Sequence, residues 1–145
     1  MSGFTTSLVE GAAQYVAAAG VGVWRPTGIY QPSEIGWYVR DVPPSPDRVI
    51  TIASYPVSST PGLADVIEGL QIRVRGTQDP RVAGDLGDAI FDVLDSAEGL
   101  NWGGIAVVQV YRQSYTALGK DERGRWEISH NYYVEAMRPT SNRTD

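Results

Sequence analysis

The residues of this sequence that come closest to a chemical motif are four aspartates in its second predicted helix. Asp85, Asp88, Asp92 and Asp95 follow one another at steps of three, four and three. At about 100° per residue, this spacing places the carboxylates on one narrow side of a helix. Three interpretations remain open: a solvated face, a docking or channel-facing surface, and a divalent metal site. The metal site is the weakest, because carboxylates on one helix do not by themselves converge on an ion.

Two arginines form the second candidate site. Arg73 and Arg75 lie on the polar side of the clearest predicted strand, Gly69 to Arg75, where apolar and polar residues alternate. Such arginines either remain solvated and discourage aggregation, or reach a carboxylate of a neighbouring chain through paired hydrogen bonds. Because the molecule also carries an acidic helix, we treat Arg73 and Arg75 as a candidate subunit interface.

The sequence gives little support for a catalytic nucleophile or for a bound cofactor. The single histidine, His130, alternates with Ile128 and Tyr132 on the apolar side of a predicted strand, which favours a structural role. There is no G-x-S-x-G motif, and the absence of cysteine excludes thiol catalysis and disulfides. The sequence therefore predicts no catalytic residue, no bound metal and no cofactor.

Composition and charge narrow the function classes further. The chain has 145 residues, 42% of them hydrophobic, and a formal net charge of −5, which fits one globular domain. The negative balance argues against tight binding of nucleic acid. No stretch approaches the roughly 20 apolar residues of a membrane helix, and the N-terminus lacks the basic start of a signal peptide. We therefore expect no membrane contact and folding inside the cell.

The predicted order of elements is a helix, then strands, a second helix, and two further strands. A first helix begins near Ser7, with Ser7 and Glu10 as a capping box, and ends before Gly20. A second helix has Asp79 as N-cap and Pro80 at its first position, with Gly99 just past its end and an apolar side of Val82, Leu86, Ala89, Ile90, Val93 and Ala97. Strands are predicted over 49–55 and 69–75, and a long hairpin has arms over 105–115 and 125–137.

This order predicts an α+β fold, in which a mixed, largely antiparallel sheet is packed by two helices. We expect a single domain over 1–138 that ends in the long C-terminal β-hairpin, and a flexible tail over 139–145. The segment 116–124 between the hairpin arms is charged and bounded by glycine, and we expect it to be mobile. It is a candidate partner-binding loop, with Leu118, Lys120, Asp121, Glu122 and Arg123 as the binding residues.

Aromatic residues point to association between chains. The sequence holds 4 tryptophans and 8 tyrosines, and several lie in segments rich in glycine and proline where burial within one chain is not obvious. Tyrosine and tryptophan are enriched at protein interfaces. Oligomerisation is therefore a reasonable expectation.

Several segments together resemble a known family. These are the strand and turn Leu70-Gln71-Ile72-Arg73-Val74-Arg75-Gly76, the helix opened by Asp79-Pro80, the start of the hairpin at Gly104-Ile105-Ala106-Val107, its turn over 118–125, and Ile128-Ser129-His130-Asn131-Tyr132. With the Pro43-Pro44-Ser45-Pro46-Asp47 loop, the order is similar to that of the tail terminator proteins of long-tailed bacteriophages, sometimes described as minor capsid or tail completion proteins.

The resemblance implies a structural virion protein at the head–tail junction, assembled in the cytoplasm of the bacterial host. It implies a ring of copies of this chain, a hexamer in that family, which caps the tail tube, ends its polymerisation and offers a surface for head docking. Its partners would be the tail tube protein and a head–tail connector protein, and DNA would pass through without specific binding. The alternatives are another connector or head-completion ring protein of the neck, and a small metal-dependent hydrolase.

Overall fold

The computed structural model describes residues 2–144, which form two helices and six strands. In chain order these are α1 (Phe4–Ala18), β1 (Gly36–Val39), β2 (Val49–Ser59), β3 (Asp65–Arg75), α2 (Pro80–Leu94), β4 (Glu98–Trp102), β5 (Ile105–Lys120) and β6 (Trp126–Met137). The predicted α+β class is confirmed, as is the C-terminal hairpin of β5 and β6.

All six strands belong to one mixed sheet in the order β1-β2-β3-β6-β5-β4. Only β1 and β2 run parallel, and every other neighbouring pair is antiparallel. The central strand β3 pairs on one side with β2 and on the other with β6, where Ile72 lies opposite His130. β1 covers only the start of β2 and β4 only the start of β5, so the sheet is staggered at its two sides.

The core lies between the two helices and one face of this sheet. Leu70, Ile72 and Val74 of β3 are fully buried, as the strict alternation in the sequence predicts. α1 adds Leu8, Ala12 and Val16 from one side. The helices therefore cover one face of the sheet, and the other face carries the polar residues of the same strands.

α1 begins one turn earlier than the sequence indicates. Its N-cap is Gly3, with no side-chain cap, so the predicted capping box of Ser7 and Glu10 is wrong. Phe4 packs against the core, and the Arg138 guanidinium lies 4.5 Å from the centre of its ring. Burial of Phe4 thus explains why the helix continues through Ser7 towards its N-terminus.

α2 starts as predicted, because the Asp79 side chain accepts a hydrogen bond from the N–H of Arg81 and Pro80 opens the helix. The predicted end is too late: the helix stops at Leu94, and Ser96 has a positive φ of 67°. The buried side consists of Ala83, Leu86, Gly87, Ile90 and Leu94. The buried stripe is therefore rotated from the predicted one, in which Val82, Ala89, Val93 and Ala97 accompany Leu86 and Ile90.

The hairpin is longer and its turn tighter than predicted. β5 extends to Lys120, so residues 116–120, expected to be a mobile loop, are strand, and only 121–125 form the turn. Pairing with β6 continues to Lys120 opposite Trp126 through three irregularities, at Val108, Gln113 and Leu118. Each bulge adds one residue to β5 and bends the strand. The sequence suggests a loop here because glycine and charged residues are typical of loops.

The segment after β6 folds back onto the loop between β2 and β3. The Arg143 guanidinium donates to the carbonyl oxygens of Leu63 (2.8 Å) and Thr60 (3.3 Å). The N–H of Thr144 donates to the carbonyl oxygen of Gly62 (3.0 Å). The sequence predicts flexibility for 139–145, whereas the structure ties 143–144 to this loop. Asp145 lies outside the described residues.

The two glycines of α2 should respond oppositely to alanine. A β-carbon on Gly87 would lie 2.5 Å from His130 Nε2, whereas one on Gly84 meets nothing within 4 Å. Gly84→Ala should raise the free energy of unfolding by about 1 kcal/mol, because alanine is the better helix former. Gly87→Ala should lower it by about 1–2 kcal/mol through overpacking. Urea denaturation of both variants measures this, and equal stabilisation by both would contradict the packing described.

Candidate docking surface at the hairpin tip

Three segments meet at one end of the sheet and form what we call the tip surface. They are the proline-rich loop 43–47, the hairpin turn 121–125 and the start of α2 at 77–80. Residues up to 81 positions apart in sequence are joined here by hydrogen bonds. Hydrogen bonds between segments that are distant in the sequence therefore hold this end of the molecule together.

The hairpin turn is organised by one carboxylate. Asp121 Oδ1 accepts hydrogen bonds from the N–H groups of Arg123 and Arg125, both at 2.9 Å, and Oδ2 accepts from Arg125 Nε at 2.8 Å. Burial acts to raise the pKa of Asp121, but the hydrogen bonds from Arg125 and Arg123 outweigh it and lower the pKa below the ordinary value. The turn is thus held by an ionised side chain that the sequence analysis assigned to partner binding.

Arg75 holds the proline-rich loop from the side of the sheet. Its Nε donates to the carbonyl oxygen of Asp47 (2.8 Å), and its Nη2 donates to those of Pro43 (2.7 Å) and Pro46 (2.8 Å). The residue is only 3% exposed, and burial lowers its pKa. Backbone carbonyls of the same chain thus occupy Nε and Nη2 of Arg75, and its place at a subunit interface stays a prediction.

Arg125 connects the same loop to the hairpin turn. Its Nη1 donates to the carbonyl oxygen of Pro44 at 2.7 Å and lies 3.3 Å from Asp47 Oδ1, while its Nε binds Asp121. The side chain is 6% exposed, so this ion pair is largely shielded from water. Two guanidinium groups, one on β3 and one at the end of the hairpin turn, thus hold loop 43–47 through its carbonyl oxygens.

Hydrogen bonds connect the segment before α2 to the hairpin turn. Trp126 N–H donates to the carbonyl oxygen of Thr77 (3.1 Å), and its indole Nε1 donates to that of Gln78 (3.2 Å). Gln78 Nε2 in turn donates to the carbonyl oxygen of Arg123 (3.1 Å). The turn predicted to be mobile is therefore braced against a helix terminus.

The outward side chains of the tip surface carry both charges. Glu122 and Arg123 project from it, next to Lys120 at the end of β5, and Leu118 on the same strand is 44% exposed. The Lys120 ammonium lies 5.6 Å from the centre of the Trp126 ring, within range of a cation–π contact. Of the predicted loop residues, all but Asp121 are exposed at the surface. The turn that carries them is held in place by the hydrogen bonds of Asp121 and Arg125.

The aspartate stripe divides into two parts. Asp85, Asp88 and Asp92 lie on the exposed side of α2. Asp95 lies beyond the end of the helix, and its carboxylate accepts hydrogen bonds from the N–H of Arg112 (2.7 Å) and from the Ser96 hydroxyl (3.0 Å). The sequence therefore places three of the four carboxylates on the correct side of a helix and misassigns Asp95, which connects α2 to β5.

Arg73 lies on the sheet face that the helices leave bare. It pairs with Glu127 of β6, with Nη2 2.9 Å and Nε 3.0 Å from Glu127 Oε1, and its side chain is 40% exposed. Unlike Arg75, it keeps part of its guanidinium in solvent. Arg73 therefore remains available as a candidate interface residue, already paired within the chain.

The same bare face carries aromatic residues that the sequence analysis counted without placing. Tyr55 covers Gly69 so closely that a β-carbon there would lie 2.2 Å from the ring, and its hydroxyl donates to Asn131 Oδ1 at 3.2 Å. Tyr111 and Tyr133 pack edge to face at 5.9 Å. The period-two pattern of β6 could have placed Tyr133 on this face, since it alternates with the apolar residues.

His130 lies in the core beneath α2. It is 3% exposed, stacks on Tyr115 and Tyr132, and neither ring nitrogen has a hydrogen-bond partner among residues 2–144. Burial and the nearby Arg112 lower the pKa of His130 to about 4. The imidazole is thus neutral at physiological pH and packs as an aromatic ring, in agreement with the structural role expected from the sequence.

Within residues 2–144, no three or more acidic or histidine side chains are grouped to hold a metal ion. No helix in this part of the chain has the length and apolar character needed to span a membrane.

Comparisons with known proteins agree with the architecture. The family model described as "Bacteriophage tail terminator protein" matches residues 15–138. A solved structure described as "Virion of native gene transfer agent (GTA) particle" contains a chain of the same fold, with a TM-score of 0.55 and 14% sequence identity, covering 92% of this chain and 95% of the other. Comparison with curated proteins finds no match.

Arg75 and Arg81 should differ sharply in their contribution to stability. Arg75→Ala removes the donor to three backbone carbonyl groups and should lower the free energy of unfolding by about 3–5 kcal/mol. Arg81→Ala breaks an ion pair with Asp79 in which the arginine side chain is 83% exposed, and it should cost no more than about 1 kcal/mol. Urea denaturation measures both, with Arg81→Ala as the control. Similar losses for the two variants would contradict the assignment of Arg75 as the residue that holds the loop.

His130 should make stability depend on mildly acidic pH. The unfolded chain binds a proton on this histidine near pH 6.5, whereas the folded chain does so only near pH 4. The free energy of unfolding should therefore fall as the pH drops from about 6.5 to about 4, by up to about 3 kcal/mol from this residue. In His130→Leu, this part of the decline should disappear. Urea denaturation of both proteins at a series of pH values tests it, and parallel pH profiles would refute the assignment.

Proposed function

The chain belongs to the bacteriophage tail terminator family, and we propose that it caps the tail tube, ends its polymerisation and presents a surface for head docking. The observation that carries this proposal is the family match over residues 15–138, which covers nearly the whole fold. As a member of this family the chain is a structural component of a phage virion. Its place at the head–tail junction is part of the proposal.

The proposed working form is a closed ring of identical copies, a hexamer. A ring requires two different surfaces of each subunit to meet head to tail. The bare face of the sheet, which carries Arg73 with Tyr55, Tyr111 and Tyr133, is one of the two surfaces that we propose for this contact. Arg73, whose guanidinium is still partly exposed, is the arginine we propose at the contact between subunits.

The tip surface is the part of each subunit that we propose to meet the tail tube or the connector protein. Its base is fixed by Arg75 and Arg125, while Glu122 and Arg123 project from it next to Lys120. A rigid surface loses little conformational freedom on binding, which favours affinity. The ordered turn thus supports docking without the folding step that a mobile loop would require.

The net charge of −5 suits a ring through which DNA slides. Carboxylates on the wall of a channel repel phosphates and prevent contacts that would hold the DNA in place. Asp85, Asp88 and Asp92 lie on the outer side of α2 and are the residues we propose to face the channel. In this proposal the chain has no catalytic activity and binds DNA without specificity.

A neighbouring role in the neck, as a connector or head-completion ring, predicts the same fold and oligomer. The two roles differ in the protein that the ring binds. The tail terminator role requires binding to the end of a polymerised tail tube, whereas the connector role requires binding on the portal side of the head.

A tube-capping assay separates the roles. Tail tube protein polymerised in the presence of this chain should give tubes of limited length bearing a ring at one end in negative-stain images. The double variant Lys120→Glu/Arg123→Glu should fold normally but leave tubes uncapped, because it reverses both basic charges of the tip surface. Asp85→Glu keeps the negative charge of α2 and serves as the control. Binding to a portal complex without any effect on tube length would contradict the terminator role.

A further inference from the structure

The loop after β1 forms a small cavity on the bare face of the sheet, which we call the arginine cavity. Its volume is about 280 Å³. Pockets for drug-sized ligands commonly measure about 300–1,000 Å³, so this cavity has room for a small ion or for one functional group of a larger molecule. Six residues from the loop, β2 and β3 line it: Arg40, Val42, Thr51, Ala53, Gln71 and Arg73.

Arg40 is held at one wall of the arginine cavity in a strained backbone conformation. Its φ is 61°, in the left-handed region that residues other than glycine rarely adopt. The N–H of Arg40 donates to the carbonyl oxygen of Ile52 (3.0 Å). The carbonyl oxygen of the next residue, Asp41, accepts the Thr51 hydroxyl (2.8 Å). The strain is thus fixed from both sides, and strained residues of this kind cluster at ligand-binding sites.

The Arg40 side chain has no contact within the chain that would explain this strain. It is exposed, and its guanidinium takes part in none of the hydrogen bonds and ion pairs formed within residues 2–144. An arginine carries five N–H donors in a planar fork. All five are therefore available to a ligand in the cavity.

Arg73 lines the same cavity and also keeps donors in reserve. Its Nη2 and Nε lie 2.9 and 3.0 Å from a single oxygen of Glu127, Oε1. This ion pair holds the guanidinium in place, and within residues 2–144 it leaves Nη1 without a partner. Gln71 adds a side-chain amide, and Ala53, opposite it in the β2–β3 register, is small enough to leave space above the sheet.

The two positive charges of the arginine cavity are not balanced by its own lining. Among residues 2–144, no acidic residue lines it. Glu127 binds Arg73 from outside the lining, and Asp41, which follows Arg40, lines a separate cavity beside Tyr38. The cavity is therefore a locally basic site in a chain whose net charge is −5, and its ligand should be an anion.

We propose that the arginine cavity binds a phosphate group, with Arg40 and Arg73 donating to its oxygens from two walls and the Gln71 amide from a third direction. Guanidinium groups bind phosphate through paired hydrogen bonds. A phosphate accepts donors from several directions, whereas a carboxylate accepts them close to one plane, so the arrangement favours phosphate. The group belongs to inorganic phosphate, to a phosphate ester or to the backbone of DNA, which share this chemistry. The proposal goes beyond the terminator role and does not rest on it.

Titration of the chain with inorganic phosphate tests the site directly. Binding is measured by calorimetry at constant ionic strength, with acetate as the comparison anion. Phosphate should bind at least about tenfold more tightly than acetate, because it accepts more of the available donors. Equal affinity for the two anions, or no binding of phosphate, would overturn the proposal.

A substitution at Arg40 separates phosphate binding from folding. Arg40→Gly should raise the melting temperature without phosphate, because glycine adopts the left-handed conformation without strain. It should also weaken phosphate binding at least about tenfold, because one guanidinium is lost. Arg81→Gln is the control: it removes an arginine from α2 whose side chain is 83% exposed, and phosphate should bind it as it binds the unaltered protein. Unchanged phosphate affinity in Arg40→Gly, or an equal loss in Arg81→Gln, would contradict the site.

A short DNA duplex at the same phosphate concentration distinguishes the sources. A duplex that binds more tightly than inorganic phosphate, and loses this affinity in Arg40→Gly, identifies the DNA backbone as the ligand. A duplex that binds no more tightly identifies a free phosphate or a phosphate ester. Duplex binding that survives unchanged in Arg40→Gly would overturn the proposal, because the phosphates would then be bound elsewhere. None of these measurements involves ring formation or tube capping, so their outcome leaves the role proposed for Arg73 between subunits untouched.

Discussion

The structure depends on two buried guanidinium groups that bind the carbonyl oxygens of one loop. Arg75 and Arg125 are 3% and 5% exposed, and together they hold the carbonyl groups of Pro43, Pro44, Pro46 and Asp47. Prolines supply no N–H, so this loop depends on donors from elsewhere to satisfy its oxygens. The same Arg125 anchors Asp121, and through it the hairpin turn. Loop, turn and sheet end therefore form one rigid surface.

This constraint divides the molecule into parts with different tasks. The helix-covered face of the sheet provides the core, and the bare face carries the polar and aromatic residues that we propose for contacts with other chains. The tip surface is fixed by the two arginines that hold loop 43–47. The rigidity of the tip surface supports the docking role that we propose for it.

The sequence predicted best where local chemistry determines structure. Asp79 and Pro80 open α2, and their effect depends only on residues within one helical turn. Leu70, Ile72 and Val74 are buried, as the alternation of apolar and polar residues along the strand predicts. Arg75 could not be placed this way, since its role depends on a loop that lies 28 to 32 residues earlier and folds over it. Residues 116–120 are strand despite their loop-like composition, because β6 pairs with them and Asp121 fixes the turn beyond. Asp95 has helical spacing but caps a strand amide, which only the fold reveals.

The central claim is that this chain occupies the end of the tail tube nearest the head. Cryo-electron microscopy of the phage particle, with the fold docked into the density, tests it most directly. The account predicts a ring of this fold between tube and head, with the tip surface formed by loop 43–47 and turn 121–125 in contact with a neighbouring protein. Density for the chain along the tube wall, or at the end far from the head, would contradict it.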